Sequence, residues 1–374
     1  MAKVKFGDIV RNIKINVDRA NNPYKHYVAG DHMNSEDLTI RRYGNFETDD
    51  VGPAFTRIFK PGQILYGSRR TYLKKVAVAD FAGICANTTF VLESKDESLF
   101  DNRLLPFIML SDAFTCWSVA HSKGSTNPYV LFSDLADYEF DLPPLAEQKV
   151  LADKLWAAYR LKESYKKLLL ATRDMVKSQF IEMFGGGNWP QKTLGEVGSF
   201  IRGGGFQKSD FVEHGIPCIH YGQIHTKFGP FITKHITEIS SDLESKTKFA
   251  SMGDLIIAIT SEDAEGSCKS TAWLGDYPVA VGGHAAIYKH SMNPLYMTFF
   301  FKSTLFNHEK TKYIHGTKVF EIRPDDLAKI MVPCPPMRLQ EYFSAIAKQA
   351  DKSEFELKKS IEAINAVIKS LLNN

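Results

Sequence analysis

The sequence predicts an α+β protein: two similar α/β modules separated by two long antiparallel coiled-coil helices, the halves related by a pseudo-two-fold axis. Three observations predict it. The chain repeats itself at a shift of 192 residues. Each copy of the repeat carries a Pro-Pro pair followed by a long stretch of apolar residues at threes and fours. Short β-type runs, punctuated by glycine and asparagine, precede each Pro-Pro pair.

The repeat is read by laying 124–179 against 316–371 without a gap. Thirteen of the 56 pairs are identical, where average residue usage would give about three by chance. They include Gly124/Gly316, Asp134/Asp326, Leu135/Leu327, Ala136/Ala328, Pro143/Pro335, Pro144/Pro336 and Gln148/Gln340. Upstream the likeness is looser: KFGDIV at 5–10 echoes TLGEVG at 193–198, and PGQILYGS at 61–68 echoes MGDLIIAI at 252–259. Both halves therefore run from a start motif through a Gly-Asp/Gln-apolar strand and a Gly-Ser/Thr loop to Pro-Pro and a helix. Two copies are too few for a solenoid, so the pattern points to paired modules.

Proline cannot continue a strand or helix but is tolerated where a helix starts. After Pro335-Pro336 the apolar residues fall at Phe343, Ala347, Ala350, Leu357, Ile361, Ile364, Ile368 and Leu371. The first copy places Leu151, Leu155, Ala158, Tyr165, Leu169, Thr172, Val176 and Met183 along its own seam. This is coiled-coil spacing, interrupted at the same place by Lys162 and Glu354. At 1.5 Å per residue each helix would reach roughly 55–60 Å. One such helix cannot hide its stripe alone; two can hide them against each other. The GGGNWP stretch at 185–190 ends the first helix and lets the chain turn. The predicted boundaries are 1–144 for the first module, 145–184 for the first long helix, 185–336 for the second module and 337–374 for the second long helix.

The strand-type runs are QILYG, KKVAVADF and TTFVLES in the first module, and DLIIAIT, YPVAVGG and HAAIYKH in the second, with helical segments such as 104–119 interleaved. That is an α+β module, not a doubly wound dinucleotide fold. The composition, 44% hydrophobic and 12% aromatic over 374 residues, fills cores for two domains. No apolar run approaches membrane-spanning length, and the first residues lack the apolar stretch of a signal peptide. The five scattered cysteines predict reduced thiols in a cytoplasmic protein. The net charge of +3 neither demands nor excludes nucleic acid.

Local clusters decide that question. The densest positive patch is GSRRTYLKK at 67–75, with Arg69, Arg70, Tyr72, Lys74 and Lys75; Arg41 and Arg42 add to it. Arginine bonds a guanine edge bidentately, and both cations neutralise phosphates. A solvated basic loop is the bland alternative. In the second module the polar cluster CIHYGQIHTK at 218–227 offers Tyr221, Gln223 and His225, and the loop at 261–269 offers Ser261 and Lys269. Glutamine can pair with adenine in the major groove.

Catalytic signatures are weak. NNPY at 21–24 lacks the middle proline of an amino-methyltransferase motif, RGGGF at 202–206 heads no strand–helix unit, and there is no Walker sequence or H-E-x-x-H. Cys218, His214, His220 and His225 match no standard zinc spacing. DLESK at 242–246 is an ordinary surface string, and His284 reads as a packed or DNA-facing histidine. The residues describe a recogniser without an active site.

This layout resembles the specificity (S) subunit of type I restriction–modification systems. The resemblance covers nearly the whole chain and rests on LPPLAEQ/CPPMRLQ, WPQKTLGEV at 189–197, the GDLI strand and the paired helices. The second copy departs from the family's Glu-Gln pair, with Leu339 where the first has Glu147. The resemblance implies two target-recognition domains that read the two halves of a split sequence in double-stranded DNA. It also implies helices that space them and dock two methyltransferase (M) subunits, with restriction/translocase (R) subunits joining for cleavage. No cofactor is expected in this chain; S-adenosylmethionine, and ATP for cleavage, belong to the partners. A type IIB or phage-defence methyltransferase complex, a scaffold that reads no DNA, and a stand-alone methyltransferase are the rival readings. If the helices act as a ruler, deleting four residues from one of them should shift the preferred half-site spacing in methylation footprints. Unchanged spacing would defeat the ruler.

Overall fold

The computed structural model describes residues 2–18, 21–186, 189–264, 266–316 and 318–373. Positions 187–188 of the 185–190 turn, 265 of the 261–269 loop and 317 of the second Gly-Thr loop lie outside the described residues. The chain is mixed helix and sheet, as the sequence predicts, with two long helices, Leu145–Phe184 and Met337–Asn373. It divides into two compact units: Met1–Tyr165 with Ser360–Asn374, and Lys166–Lys359. The division falls inside both long helices. Among the described residues no helix is long and apolar enough to cross a membrane.

In the first unit, Ala2–Lys5 pairs antiparallel with Glu139–Leu142, the strand that leads into the first long helix. One sheet orders Val10–Asn12, Thr89–Ser94, Ile64–Gly67 and Val76–Val78; a second orders Gly44–Asn45, His26–Val28, Gly83–Ala86 and Phe55–Phe59. The central pair of that second sheet is parallel and its outer pairs are antiparallel.

The second unit repeats the plan. Gln191–Thr193 pairs with Met331–Pro333 ahead of the second long helix. One sheet orders Gly198–Arg202, Ala285–His290, Leu255–Ala258 and Ser270–Trp273, with Phe231–Ile232 added at the edge. The other orders Thr237–Ile239, Ile216–Ile219, Val279–Val281 and Lys248–Ala250, with Phe211–Val212 added. Its central pair, Ile216–Ile219 with Val279–Val281, is again parallel.

The repeated residues explain themselves in packing. Gly7 opens the first one-turn helix against Ala136: a Cβ on Gly7 would stand 2.6 Å from that of Ala136. Gly195 lies against Ala328 in the second unit, where a Cβ would stand 3.2 Å from the Ala328 carbonyl oxygen. At Gly7 only glycine permits so close an approach, while at Gly195 a Cβ would be tight and push its neighbour by a few tenths of an ångström. Beside them Leu135 and Leu327 are fully buried. The Phe6 amide donates to the Tyr138 carbonyl and the Leu194 amide to the Ile330 carbonyl, at 2.7 and 2.9 Å.

The repeated glutamines are the tightest of these features. Gln148 is 1% exposed; its amide oxygen accepts from the Asp101 amide at 3.0 Å, and its nitrogen donates to the Leu99 and Pro143 carbonyls. Gln340, 2% exposed, accepts from the Asn293 amide at 2.9 Å and donates to the Pro335 carbonyl at 2.8 Å. Asp101 and Asn293 are themselves separated by the same 192 residues, so the gap-free register of the repeat starts upstream of residue 124. Ser111 and Ser303 extend it too: each caps a helix by accepting from the amide of a buried phenylalanine, Phe114 or Phe306.

Within the second unit the helix segments run antiparallel: Arg173 pairs with Glu354 at 2.8 Å, and the Phe180 ring meets that of Phe343 at 5.2 Å. Val176, Phe180 and Phe184 join Phe343, Ala347 and Ala350 in one core with the module's own Leu327, Val332 and Tyr296. The step of four from Val176 to Phe180 and Phe184 departs from the predicted seam, which continued to Met183. The helix end packs on the module as well as on the facing helix, so its buried stripe widens. In the first unit Leu155 and Tyr159 enter the module core, and Ile368, Leu371 and Leu372 pack against it.

An unpaired buried amide or carbonyl costs about 1–3 kcal/mol. Gln148→Ala and Gln340→Ala should each destabilise their own unit by about 3 kcal/mol, seen as a lowered midpoint in urea unfolding. An unchanged midpoint would show that the glutamine only fills space.

Candidate nucleic-acid interface

In the first unit the basic stretch is the hairpin between Ile64–Gly67 and Val76–Val78, which pair antiparallel. Its turn is Thr71–Leu73, flanked by Arg70 and Lys74, both non-glycine residues in the left-handed region with φ of 51° and 47°. Such backbone is uncommon outside glycine and needs support from its surroundings. Here the Arg70 amide donates to the Pro128 carbonyl at 2.7 Å, and the Lys74 carbonyl accepts from the Glu36 amide at 3.1 Å.

The five hairpin side chains divide into two groups. Arg69, Arg70 and Tyr72 are exposed, and among the described residues no carboxylate lies within ion-pair distance of either arginine. Lys74 is bound to Asp112 at 3.0 Å and to Glu36 at 3.3 Å. Asp112 also takes Lys369 of the second long helix at 2.6 Å. These two cations, Lys369 first, hold the Asp112 carboxyl down to about 2, so the link is ionic at neutral pH. Lys75 donates to the Gly30 carbonyl.

Arg41 is a strut. Its guanidinium meets Asp37 at 2.7 Å and Glu163 of the first long helix. Tyr159 donates to Asp37 at 2.9 Å. Burial opposes ionisation of Asp37, but the bonds from Arg41, the Thr39 amide and Tyr159 keep its carboxyl below the usual range. The hydrogen bond to Asp37 holds Arg41 charged. Arg42 donates to the Asp31 carbonyl.

In the second unit the corresponding hairpin joins Leu255–Ala258 to Ser270–Trp273. Ser261 and Lys269 therefore occupy the same place in the sheet as Arg69 to Lys75. Lys269 is exposed, whereas Ser261 is buried and accepts from the Asp263 amide at 3.3 Å. The helix Tyr221–Thr226 follows Ile216–Ile219. His220 caps it, accepting at Nδ1 from the Gly222 amide; burial, then Lys208 and His284, lowers the pKa of its ring. Gln223 is 9% exposed: its oxygen accepts from the His220 amide and its nitrogen donates to Thr237 Oγ1. It is thus engaged in holding the helix start. His225 bonds the Thr260 carbonyl through Nε2 at 3.0 Å, which joins this helix to the hairpin. The Tyr221 ring lies 5.0 Å from that of His284.

His225 and Lys269 line one cleft of about 560 Å³ together with Lys177, Lys302 and Lys310. Sequence reading missed these three lysines because they lie on separate helices and form no run. Among the described residues no group of three or more His, Cys, Asp or Glu could hold a metal; Cys218 is buried beside Thr237.

Comparison with known proteins gives this geometry a family. Residues 2–170 match the family model described as type I restriction modification DNA specificity domain. The match spans the first module and the first part of the first long helix. The EcoDI type I restriction enzyme specificity subunit of Escherichia coli is 28% identical over 163 residues, which is 44% of this chain and only 35% of that relative's length. The MjaVIII specificity subunit of Methanocaldococcus jannaschii is 23% identical over 314 residues, 78% of this chain and 73% of its own.

The specificity-domain fold extends to the second half. A chain from a structure on complex assembly and conformational transition of the type I R-M system aligns with 100% of this chain and 96% of its own. Its TM-score is 0.60 and its identity 19%. The type I restriction–modification S subunit from M. genitalium aligns with 99% of this chain and 94% of its own, with a TM-score of 0.55 and 14% identity.

Arg70→Ala should weaken binding to a specific duplex by about 1–3 kcal/mol if it bonds a base edge. If it contacts phosphate instead, the salt dependence should fall by about one ion. Wild-type affinity, specificity and salt slope would remove Arg70 from the interface.

Proposed function

We propose that this chain is the DNA-reading subunit of a type I restriction–modification complex. Each unit reads one half of a bipartite duplex sequence. The observation that carries this reading is that the two units share their strand order while the hairpin at one fixed place differs, Arg-Arg-Thr-Tyr in one and a longer Ser-to-Lys loop in the other. A duplicated frame with unlike side chains at its reading edge suits two unlike half-sites.

In the first unit Arg69, Arg70 and Tyr72 meet the DNA, while Lys74, Lys75 and Arg41 hold the hairpin in place. In the second unit Lys269 and Tyr221 are the reading candidates, with Lys177 and Lys302 supplying phosphate attraction. Gln223, His225 and Ser261 shape that surface. The long helices dock two methyltransferase subunits, and restriction subunits join them; methyl transfer and cleavage, with their S-adenosylmethionine and ATP, reside in those partners. The chain acts in the cytoplasm without catalysing either step.

Mapping methylated bases across a genome with and without this chain tests the reading. A bipartite methylated motif that disappears without the chain is the expected result. A methylation pattern indifferent to the chain would overturn it.

A further inference from the structure

The repeat allows each unit to be checked against the other, and the two differ where the hairpin meets the helices. In the first unit Asp112 is an internal anion. It takes Lys74 of the hairpin at 3.0 Å and Lys369 of the second long helix at 2.6 Å. The 192-residue shift carries Lys369 to Lys177, still a lysine, but carries Asp112 to Thr304. The sheet register carries Lys74 to Cys268. Tyr66 pairs with Val76 as Ile257 pairs with Ser270, and both Lys74 and Cys268 sit in the left-handed region, with φ of 47° and 63°. The second unit therefore lacks the carboxylate but keeps one of the cation positions that faced it.

It also carries further cations. Leu110 becomes Lys302, and the fully buried Ser118 becomes Lys310. Lys310 is 3% exposed, and its amine donates to the Ser267 carbonyl at 2.9 Å. Both lysines line the cleft of about 560 Å³ with Lys177, Lys269 and His225. Among the described residues Lys269 and Lys302 have no carboxylate within ion-pair distance, and Lys177 has only Asp174 of its own helix, at 3.7 Å. Asp263 also lines the cleft, but its carboxylate accepts from the Gly266 amide. Asp351 and Glu354 border an adjoining groove, where Glu354 is taken by Arg173. Ammonium groups gathered in this way repel one another unless an anion lies among them.

A hydroxyl completes the arrangement. Ser270 stands where the first unit has Val76. It is 3% exposed and lines the cleft, and its Oγ has no hydrogen-bond partner among the described residues. A buried hydroxyl without a partner is unfavourable, and a bound acceptor relieves it.

We propose that this cleft seats one phosphate group in the place that the Asp112 carboxylate fills in the first unit. Ser270 donates to a phosphate oxygen, and Lys269, Lys302 and Lys310 supply the charge. The proposal rests on the reading of this chain as a DNA-reading subunit: beside the second unit's hairpin, the phosphate belongs to the duplex backbone. The second unit thereby gains a clamp that the first cannot form, because Asp112 already occupies the matching place.

The test uses the full chain and two substitutions taken from the first unit. Ser270→Val removes the hydroxyl without changing the charge. Thr304→Asp restores the carboxylate at an exposed helix start. The first unit accommodates each residue at the matching place, so both variants should melt in chloride at or above the wild-type temperature. Melting is then compared in phosphate and chloride at equal ionic strength, and affinity for a mixed-sequence duplex is measured across salt concentrations, since a backbone contact needs no particular sequence. The wild-type chain should melt higher in phosphate, and both variants should lose that difference. Each should bind the duplex about tenfold more weakly, and Thr304→Asp should lower the salt dependence by about one ion.

A wild-type phosphate response and wild-type duplex affinity in both variants would overturn the seat while leaving the DNA-reading function intact. Loss of the phosphate response with unchanged duplex binding would overturn the backbone source and assign the seat to a free phosphate. Failure of the unmodified chain to bind any duplex would overturn both the backbone source and the DNA-reading function.

Discussion

A buried glutamine amide at the start of each long helix is the contact on which the rest of the architecture depends. Gln148 and Gln340 each bond the carbonyl of the first proline in the Pro-Pro pair and the backbone amide of Asp101 or Asn293, which caps an earlier helical segment of the same module. Proline offers no amide of its own, so the chain turning from strand to helix has carbonyls to satisfy and few donors nearby. One side-chain amide, with two donors and an acceptor, meets that need from inside the helix. It fixes the direction in which the helix leaves the module, and the antiparallel helix contacts in each unit follow from that direction.

Around this joint the other repeated residues have the same character. Gly7 lies too close to Ala136 for a side chain and Gly195 packs tightly on Ala328, and Ser111 and Ser303 start helices that bury Phe114 and Phe306. Much of the fold was therefore legible in the sequence: a shift that keeps Pro-Pro, Gln and Asp-Leu-Ala keeps the joint, and the joint implies the helix. Which of the candidate residues stand exposed was legible only in part. Arg69, Arg70 and Tyr72 stand out as a run and are exposed. Gln223 and Ser261 are buried, and Arg41, though exposed, is held by Asp37 and by Glu163 of the long helix; sequence cannot reveal these because they depend on residues brought together only by folding. Lys177, Lys302 and Lys310 were invisible for the converse reason, as residues far apart in the chain that meet only in the folded unit.

The two copies have drifted where no shared contact restrains them. Glu147 and Leu339 sit one residue before the glutamines and touch the joint only through backbone amides that donate to the Pro144 and Pro336 carbonyls, so their side chains are free to differ, charged in one copy and apolar in the other. The same freedom shows in the hairpins, where the frame is kept and the loop is not.

The central claim is that each cooperative unit consists of one module plus the nearer ends of both long helices. Native-state hydrogen exchange on the whole chain tests it most directly. The account predicts that amides of 145–165 and 360–373 open together with the strands of the first unit, and those of 166–184 and 337–359 with the strands of the second. Each long helix exchanging as a single block from end to end, independent of the sheets, would contradict it.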